Sequence, residues 1–207
     1  MKHKLITYLG AMMAISVLPS IVLAFSYTYQ IDVFTNNGTY AESDQLSLSV
    51  LASNRGTSPD IIDFTITNQS TISSSIAAIY FDFDDALSFN ELTSGAGVAY
   101  RVGAKPPELP SGHTLEPIFD SEYSFGSNSP KSSRGINPGE QVLISFDLYG
   151  SATDLIDNMN AGLFRIGAHI IALPDGSSET AATIPEPTTI AILGLGALLI
   201  RKKRNNN

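Results

Sequence analysis

Apolar and polar residues alternate along much of the chain. Every second residue is apolar from Tyr27 to Val33, from Leu46 to Ala52 and from Ile62 to Ile66. The same period returns at residues 79–83, 98–102, 142–148 and 164–170. A period of two predicts β-strands with one buried face, because successive side chains of a strand point to opposite faces. Turn-forming residues separate these segments. We therefore predict an all-β fold: a single antiparallel β-sandwich, jelly-roll or immunoglobulin-like, over residues 25–173.

One short segment has helical spacing instead. Leu155 and Met159 lie four residues apart, which places them on one face of a helix. Thr153 is a suitable N-cap, and Gly162 can end the helix in a left-handed conformation. The sequence therefore predicts one short helix that packs on an end of the sandwich.

The alternation is lost between Ala104 and Pro138, where six of the 11 prolines lie. Connections of this length are uncommon in compact domains and are usually functional or disordered. We therefore expect a binding surface here, with Phe119, Tyr123 and Phe125 as contacts. The alternative, which is simpler, is that these aromatic side chains only hold the loop against the sandwich.

The first 24 residues have the three parts of a secretory signal peptide. Two lysines precede an apolar stretch at residues 5–18, and Val22 and Ala24 fit the small-residue rule for cleavage. This pattern predicts export and removal of residues 1–24 by signal peptidase. An uncleaved membrane anchor is the alternative interpretation.

A second apolar run lies at residues 188–200. Its thirteen residues would span about 20 Å as a helix, which is shorter than the hydrocarbon core of about 30 Å. Two sets of residues flank it: Pro185, Glu186 and Pro187 before the run, and Arg201, Lys202, Lys203 and Arg204 after it. The basic cluster should stay cytoplasmic, and the prolines favour an extended peptide. Residues 174–184 are small and polar, which is typical of a flexible linker.

The Pro-Glu-Pro tripeptide, the apolar helix and the basic cluster, in this order, resemble the PEP-CTERM sorting signal, over residues 185–207. In that family the signal is recognised by exosortase, a membrane cysteine protease of Gram-negative bacteria that make exopolysaccharide. The resemblance implies a transient transmembrane stage in the inner membrane. It also implies delivery to the cell surface or the extracellular matrix. A permanent membrane anchor is the alternative.

Charge and composition exclude several function classes. All 20 acidic residues but only six of the 12 basic residues lie between Phe25 and Pro187, so this segment has a formal charge of −14. Such a surface repels nucleic acid, and anionic polymers would need divalent cations as bridges. Cysteine is absent, which excludes disulfides, thiolate metal sites and cysteine nucleophiles.

The densest carboxylate cluster is Asp82, Asp84 and Asp85. Asp82 and Asp84 should project from one strand face about 7 Å apart, close enough to share a hard cation. The cluster therefore suggests a structural Ca²⁺ site, although no EF-hand loop accompanies it. A solvated acidic strand edge that discourages aggregation is the simpler alternative.

No catalytic constellation is recognisable. Beyond the predicted signal peptide only His113 and His169 remain, and we expect both to face solvent. No Gly-x-Ser-x-Gly motif accompanies them. We therefore expect a non-enzymatic structural or adhesive component of exopolysaccharide or biofilm, without a cofactor other than the suggested calcium. Two alternatives stay open: a carbohydrate- or calcium-dependent binding module, and a secreted polysaccharide-active enzyme, since glycosidase carboxylates leave no spacing signature.

Overall fold

The computed structural model describes residues 26–41, 45–55, 58–83 and 87–183. Ten strands run through these ranges: β1 Ser26–Val33, β2 Leu48–Arg55, β3 Ser58–Asn68, β4 Ser75–Asp82, β5 Leu87–Ser94, β6 Tyr100–Val102, β7 Tyr123–Ser127, β8 Gln141–Leu148, β9 Arg165–Ile171 and β10 Glu179–Ala182. The helices are α1 Lys131–Arg134, α2 Ala152–Ala161 and a 3-10 turn at Gly112–Thr114. The predicted signal peptide and sorting helix lie outside the described residues. No helix within the described ranges is long and apolar enough to cross a membrane.

All strands pair antiparallel in one continuous sheet, in the order β5-β8-β3-β2-β1-β10-β9-β4-β7-β6. β1 belongs to both halves, because residues 26–31 pair with β2 whereas Asp32 and Val33 pair with β10. The edge strands β5 and β6 approach each other, and the backbone N–H of Tyr100 donates to Ser94 Oγ at 3.1 Å. The sheet is thus nearly closed into a barrel. The antiparallel all-β prediction is confirmed, but β1 joins the two predicted layers into one sheet.

Aromatic side chains from the inner face form the centre of the core. The ring of Phe81 in β4 lies 5.4 Å from Phe64 in β3 and 5.0 Å from Phe146 in β8, measured between centroids. All three side chains are fully buried. The seven alternating segments correspond to β1, β2, β3, β4, β6, β8 and β9, so the period of two identified these strands correctly.

Three strands were not predicted: β5, β7 and β10. β5 is an edge strand with mostly partly or fully exposed side chains, so its sequence lacks a clear apolar face. β7 lies inside the segment that we expected to be irregular, and it pairs with β4 and β6. The predicted binding contact Phe125 is a core residue of β7, with no exposed surface.

β10 corrects the predicted domain boundary. We expected a flexible linker at 174–184, but Glu179–Ala182 is a strand between β1 and β9, and its four side chains are buried. Ala181 packs in the main core and Ala182 against the long loop, so both faces of the strand are covered. The folded domain therefore continues to Thr183 and does not end at residue 173.

The predicted helix is present as α2, which connects β8 to β9. Leu155 and Met159 are its buried residues, and Gly162 ends it with φ of 71°, as predicted. The N-cap is Ser151, not Thr153: its hydroxyl accepts from the backbone N–H of Asp154 at 3.0 Å.

Candidate functional site

The chain is held in place up to the last described residue, Thr183. Its backbone N–H donates to the carbonyl of Ile166, and its hydroxyl accepts from the Ile166 N–H, both at 2.9 Å. β10 therefore delivers the chain to one defined end of the sheet, where β10 ends and β9 begins. We call this the exit end.

A buried carboxylate fixes the start of β10. Glu179 accepts from the Thr35 hydroxyl at 2.6 Å and from the backbone N–H of Asn37 at 3.0 Å. The Thr35 oxygen in turn accepts from the Thr180 N–H at 2.8 Å. Because its oxygens are satisfied in this way, Glu179 can be buried inside a sheet.

The turn before β10 is ordered by Asp175. Its carboxylate accepts from the Ser177 hydroxyl at 2.6 Å and from the Thr39 backbone N–H at 2.8 Å. The hydrogen bonds from Ser177, with a further one from Thr39, lower the pKa of Asp175. Asp175 and Glu179, both in the predicted linker, are thus tied to the segment that follows β1.

An arginine under the long loop is the centre of a second polar cluster. Arg165 begins β9 at a position that the alternation assigned to the solvent face, yet it is only 5% exposed. Its Nε donates to Asp82 Oδ2 at 2.8 Å, and Nη2 completes the ion pair. Nη1 and Nη2 donate to the carbonyls of Pro117 and Ile118, each at 2.6 Å. Arg165 therefore binds the loop to the outer face of the sheet.

Apolar contacts complete this attachment. Leu109 and Phe119 are buried against the outer face, and the Phe119 ring lies 5.1 Å from the Arg165 guanidinium carbon. Gly167 makes room for them, because a Cβ there would lie 2.8 Å from the methyl groups of Leu109. Phe119 and Phe125 are thus structural, and half-buried Tyr123 stacks on Phe83 at 5.8 Å. Phe119 therefore holds the loop on the sheet, as the simpler interpretation has it, whereas Tyr123 and Phe125 belong to β7 and pack in the main core.

The loop also forms an open pocket of about 920 Å³. Its lining comprises Glu108, Leu109, His113, Glu116, Pro117, Ile118, Phe119 and Asp120. Three carboxylates and one imidazole make this lining acidic and rich in hydrogen-bond acceptors. A pocket therefore exists in the segment where we expected a binding surface. Most of its lining surface is apolar, and its charged groups are mainly acidic.

The suggested calcium ligands are only partly described. Asp82 is engaged by Arg165, while Asp84 and Asp85 lie outside the described residues. Burial raises the pKa of Asp82, and the hydrogen bond from Arg165 opposes this shift. Among the described residues, no group of three His, Asp or Glu side chains is placed to hold a metal ion. Calcium binding stays a prediction.

The two histidines differ in environment. His113 is exposed, whereas His169 in β9 is half-buried, which corrects the expectation that it faces solvent. His169 Nδ1 is buried and has no hydrogen-bond partner among the described residues. Burial, with a smaller contribution from the charge of Lys131, lowers the pKa of His169.

We expect Arg165→Met to lower the free energy of unfolding by about 3–5 kcal/mol, because it removes a buried guanidinium that serves Asp82 and the carbonyls of Pro117 and Ile118 together. Urea denaturation measures this loss, and limited proteolysis should show faster cleavage at residues 103–122.

Arg55→Met is the matched control. The Arg55 side chain is 38% exposed and that of Arg165 only 6%, so the expected loss is on the order of 1 kcal/mol. Adding Asp82→Asn to Arg165→Met should restore part of the stability, since it removes the buried charge. Equal losses for Arg55→Met and Arg165→Met would contradict this role.

His169 should make the fold less stable in mild acid. Its pKa in the folded state lies below the usual 6.5, so the unfolded state takes up the proton first as the pH falls. The contribution of neutral His169 to the free energy of unfolding is complete above pH 6.5 and is lost as the pH falls below that value. Urea denaturation from about pH 7.5 to about pH 5.5 should show a weaker pH dependence for His169→Gln than for the native chain. His113→Gln is the control for an exposed histidine, and equal pH dependence in the His169→Gln variant and the native chain refutes the prediction.

The residues predicted to direct processing lie outside the described ranges: Val22 and Ala24 at the signal-peptidase site, Pro185, Glu186 and Pro187 of the tripeptide, and Arg201, Lys202, Lys203 and Arg204 of the basic cluster. Their roles in cleavage stay predictions. For these residues the structure gives one fact, which is the position of Thr183, where the described chain ends.

Comparison with known families identifies this segment. The family model of the PEP-CTERM protein-sorting motif matches residues 183–204. No curated protein and no solved structure matches the chain. The matched segment begins at Thr183, one residue after β10. The chain is therefore a protein that carries a PEP-CTERM sorting motif, which implies exosortase-dependent sorting to the outside of the cell.

Proposed function

We propose that this protein is a non-enzymatic structural or adhesive component of a bacterial surface or exopolysaccharide matrix. One observation carries the proposal: the sorting motif at 183–204 begins directly where the last strand ends. Exosortase would therefore act on a chain whose fold is complete up to the motif. The mature product of such processing is the β-domain itself.

The construction of the domain agrees with an extracellular role. It contains no cysteine, so its stability depends on its hydrophobic core and its hydrogen bonds and not on redox conditions. The charge of −14 between Phe25 and Pro187 keeps single copies apart and soluble. The same charge means that an acidic polysaccharide would be bound through bridging Ca²⁺.

The loop pocket supplies the surface that an adhesive role needs. Glu108, Glu116 and Asp120 present carboxylate oxygens that can accept hydrogen bonds from sugar hydroxyls. The pocket is open, so it suits one face of a long polymer better than an enclosed small molecule.

Replacing Pro185, Glu186 and Pro187 together by alanine should stop sorting, because exosortase would lose the tripeptide that it recognises. In a host that has an exosortase, we expect the native chain to lose its basic tail and to enter the surface and matrix fractions. The triple variant should keep its tail and stay in the membrane fraction. Immunoblots of these fractions with one tag directly after Ala24 and one after Arg204 measure both properties.

Pro174→Ala is the matched control, because it removes an exposed proline outside the motif. It should be sorted like the native chain. Sorting of the triple variant at the native level would refute the proposal. Recovery of the processed chain only from the free medium, and not from surface or matrix, would refute the structural or adhesive role while leaving sorting intact.

A further inference from the structure

Both termini of the described domain lie at the exit end. β1 begins there at Ser26, and the Tyr27 hydroxyl donates to Asn160 Oδ1 of α2 at 2.8 Å. β10 ends there, and the sorting motif continues from it. α2 runs across this end from β8 to β9.

Three of the large exposed apolar side chains lie at the same end. Among the described residues there are five: Leu51, Val102, Ile118, Tyr149 and Leu163. Ile118 is tied to Arg165, the first residue of β9, and Leu163 lies two residues before it. Tyr149 follows β8 directly, at the start of the connection to α2. Ile118, Leu163 and Tyr149 are 59%, 62% and 67% exposed.

Hydrogen bonds connect this apolar group to Thr183, where the chain leaves the domain. Thr183 is hydrogen-bonded to Ile166, the residue after Arg165. Arg165 in turn binds the carbonyl of Ile118. Ile118 and Leu163 are therefore both connected to the exit point through the first two residues of β9.

The length of chain between domain and apolar run limits their separation. The run begins at Thr188, five residues after Thr183. Five fully extended residues reach at most about 18 Å. Each headgroup layer of a bilayer is about 5–7 Å thick. When residues 188–200 enter the hydrocarbon core, the exit end must lie against or just above the headgroups.

We propose that the exit end is a membrane-contact surface, with Ile118 and Leu163 resting in the lipid headgroup layer while the chain awaits processing. Tyr149 follows β8 at the same end, beside Ser88 at the start of β5, and tyrosine is a residue that favours this interfacial layer. The inference rests on the membrane stage of the proposed function and adds a partner to it: the lipid surface itself.

The charges around this surface define the lipid that it suits. Glu116 and Asp120 flank Ile118, and Asp154 and Asp157 are exposed on α2. These carboxylates are repelled by anionic headgroups, so the surface favours zwitterionic lipid. Two apolar side chains give shallow contact that ends when the tail is removed, as a transient stage requires.

The absence of cysteine permits a direct test with single-cysteine variants of the full chain. Ile118→Cys and Leu163→Cys place an environment-sensitive fluorophore at the exit end. Ser73→Cys is the matched control, because Ser73 is exposed between β3 and β4 at the opposite end of the sheet. Each labelled chain is reconstituted into phosphatidylcholine vesicles that contain brominated phosphatidylcholine as quencher. We expect several-fold stronger quenching at positions 118 and 163 than at 73.

A fourth label, Leu193→Cys in the apolar run, separates the two levels of the proposal. Quenching at 193 with no more quenching at 118 and 163 than at 73 would overturn the contact surface and leave the membrane stage standing. No quenching at 193 would overturn the membrane stage and the surface with it. Blue-shifted fluorescence at 118 and 163 without bromolipid quenching would mean that a second copy covers this end, which also overturns the proposal.

A final pair of variants tests whether the apolar side chains contribute to the contact, in addition to the short tether of residues 184–187. Adding Leu163→Ser to the labelled Ile118→Cys chain should reduce quenching at 118. Adding Leu51→Ser, which removes an exposed leucine from the middle of β2, should not. Equal effects of the two substitutions would refute a specific apolar contact.

Discussion

The insertion of β10 between β1 and β9 is the interaction on which the rest of the structure depends. Without it the sheet would break into two halves, each with a buried edge of unpaired N–H and C=O groups. β1 can pair with both halves only because β10 continues the sheet beside Asp32 and Val33. The same strand places the sorting motif at one end of the domain. Fold and sorting therefore share one structural element.

The outer layer depends in a similar way on one charged residue. Arg165 satisfies Asp82 and two loop carbonyls at once, so a single buried guanidinium fixes Pro117 and Ile118 of the loop over the sheet. Burial of such a pair costs solvation free energy, which the multiple hydrogen bonds offset. The role of Arg165 is to position the loop. It holds Pro117 and Ile118, which line the pocket, and so brings Ile118 to the exit end.

Local patterns predicted the strands that have one apolar face, together with α2 and its buried Leu155 and Met159. They could not predict β10, because its residues are small or polar and their burial depends on distant partners such as Thr35. The solvent exposure of Arg165 was predicted wrongly for a related reason. The alternation correctly placed Arg165 on the outer face, but only the folded chain shows that a loop covers that face. The pocket likewise depends on how the loop folds back. The pattern around Glu108 or Asp120 contains no such information.

The central claim is that the folded domain extends to the first residue of the sorting motif. Amide hydrogen exchange on the full chain tests it most directly. The account predicts that Thr180, Ala181 and Ala182 exchange as slowly as the central residues of β9, because all belong to one hydrogen-bonded sheet. Exchange at the rate of an unstructured peptide from Glu179 to Ala182 would contradict it and restore a flexible linker between domain and motif.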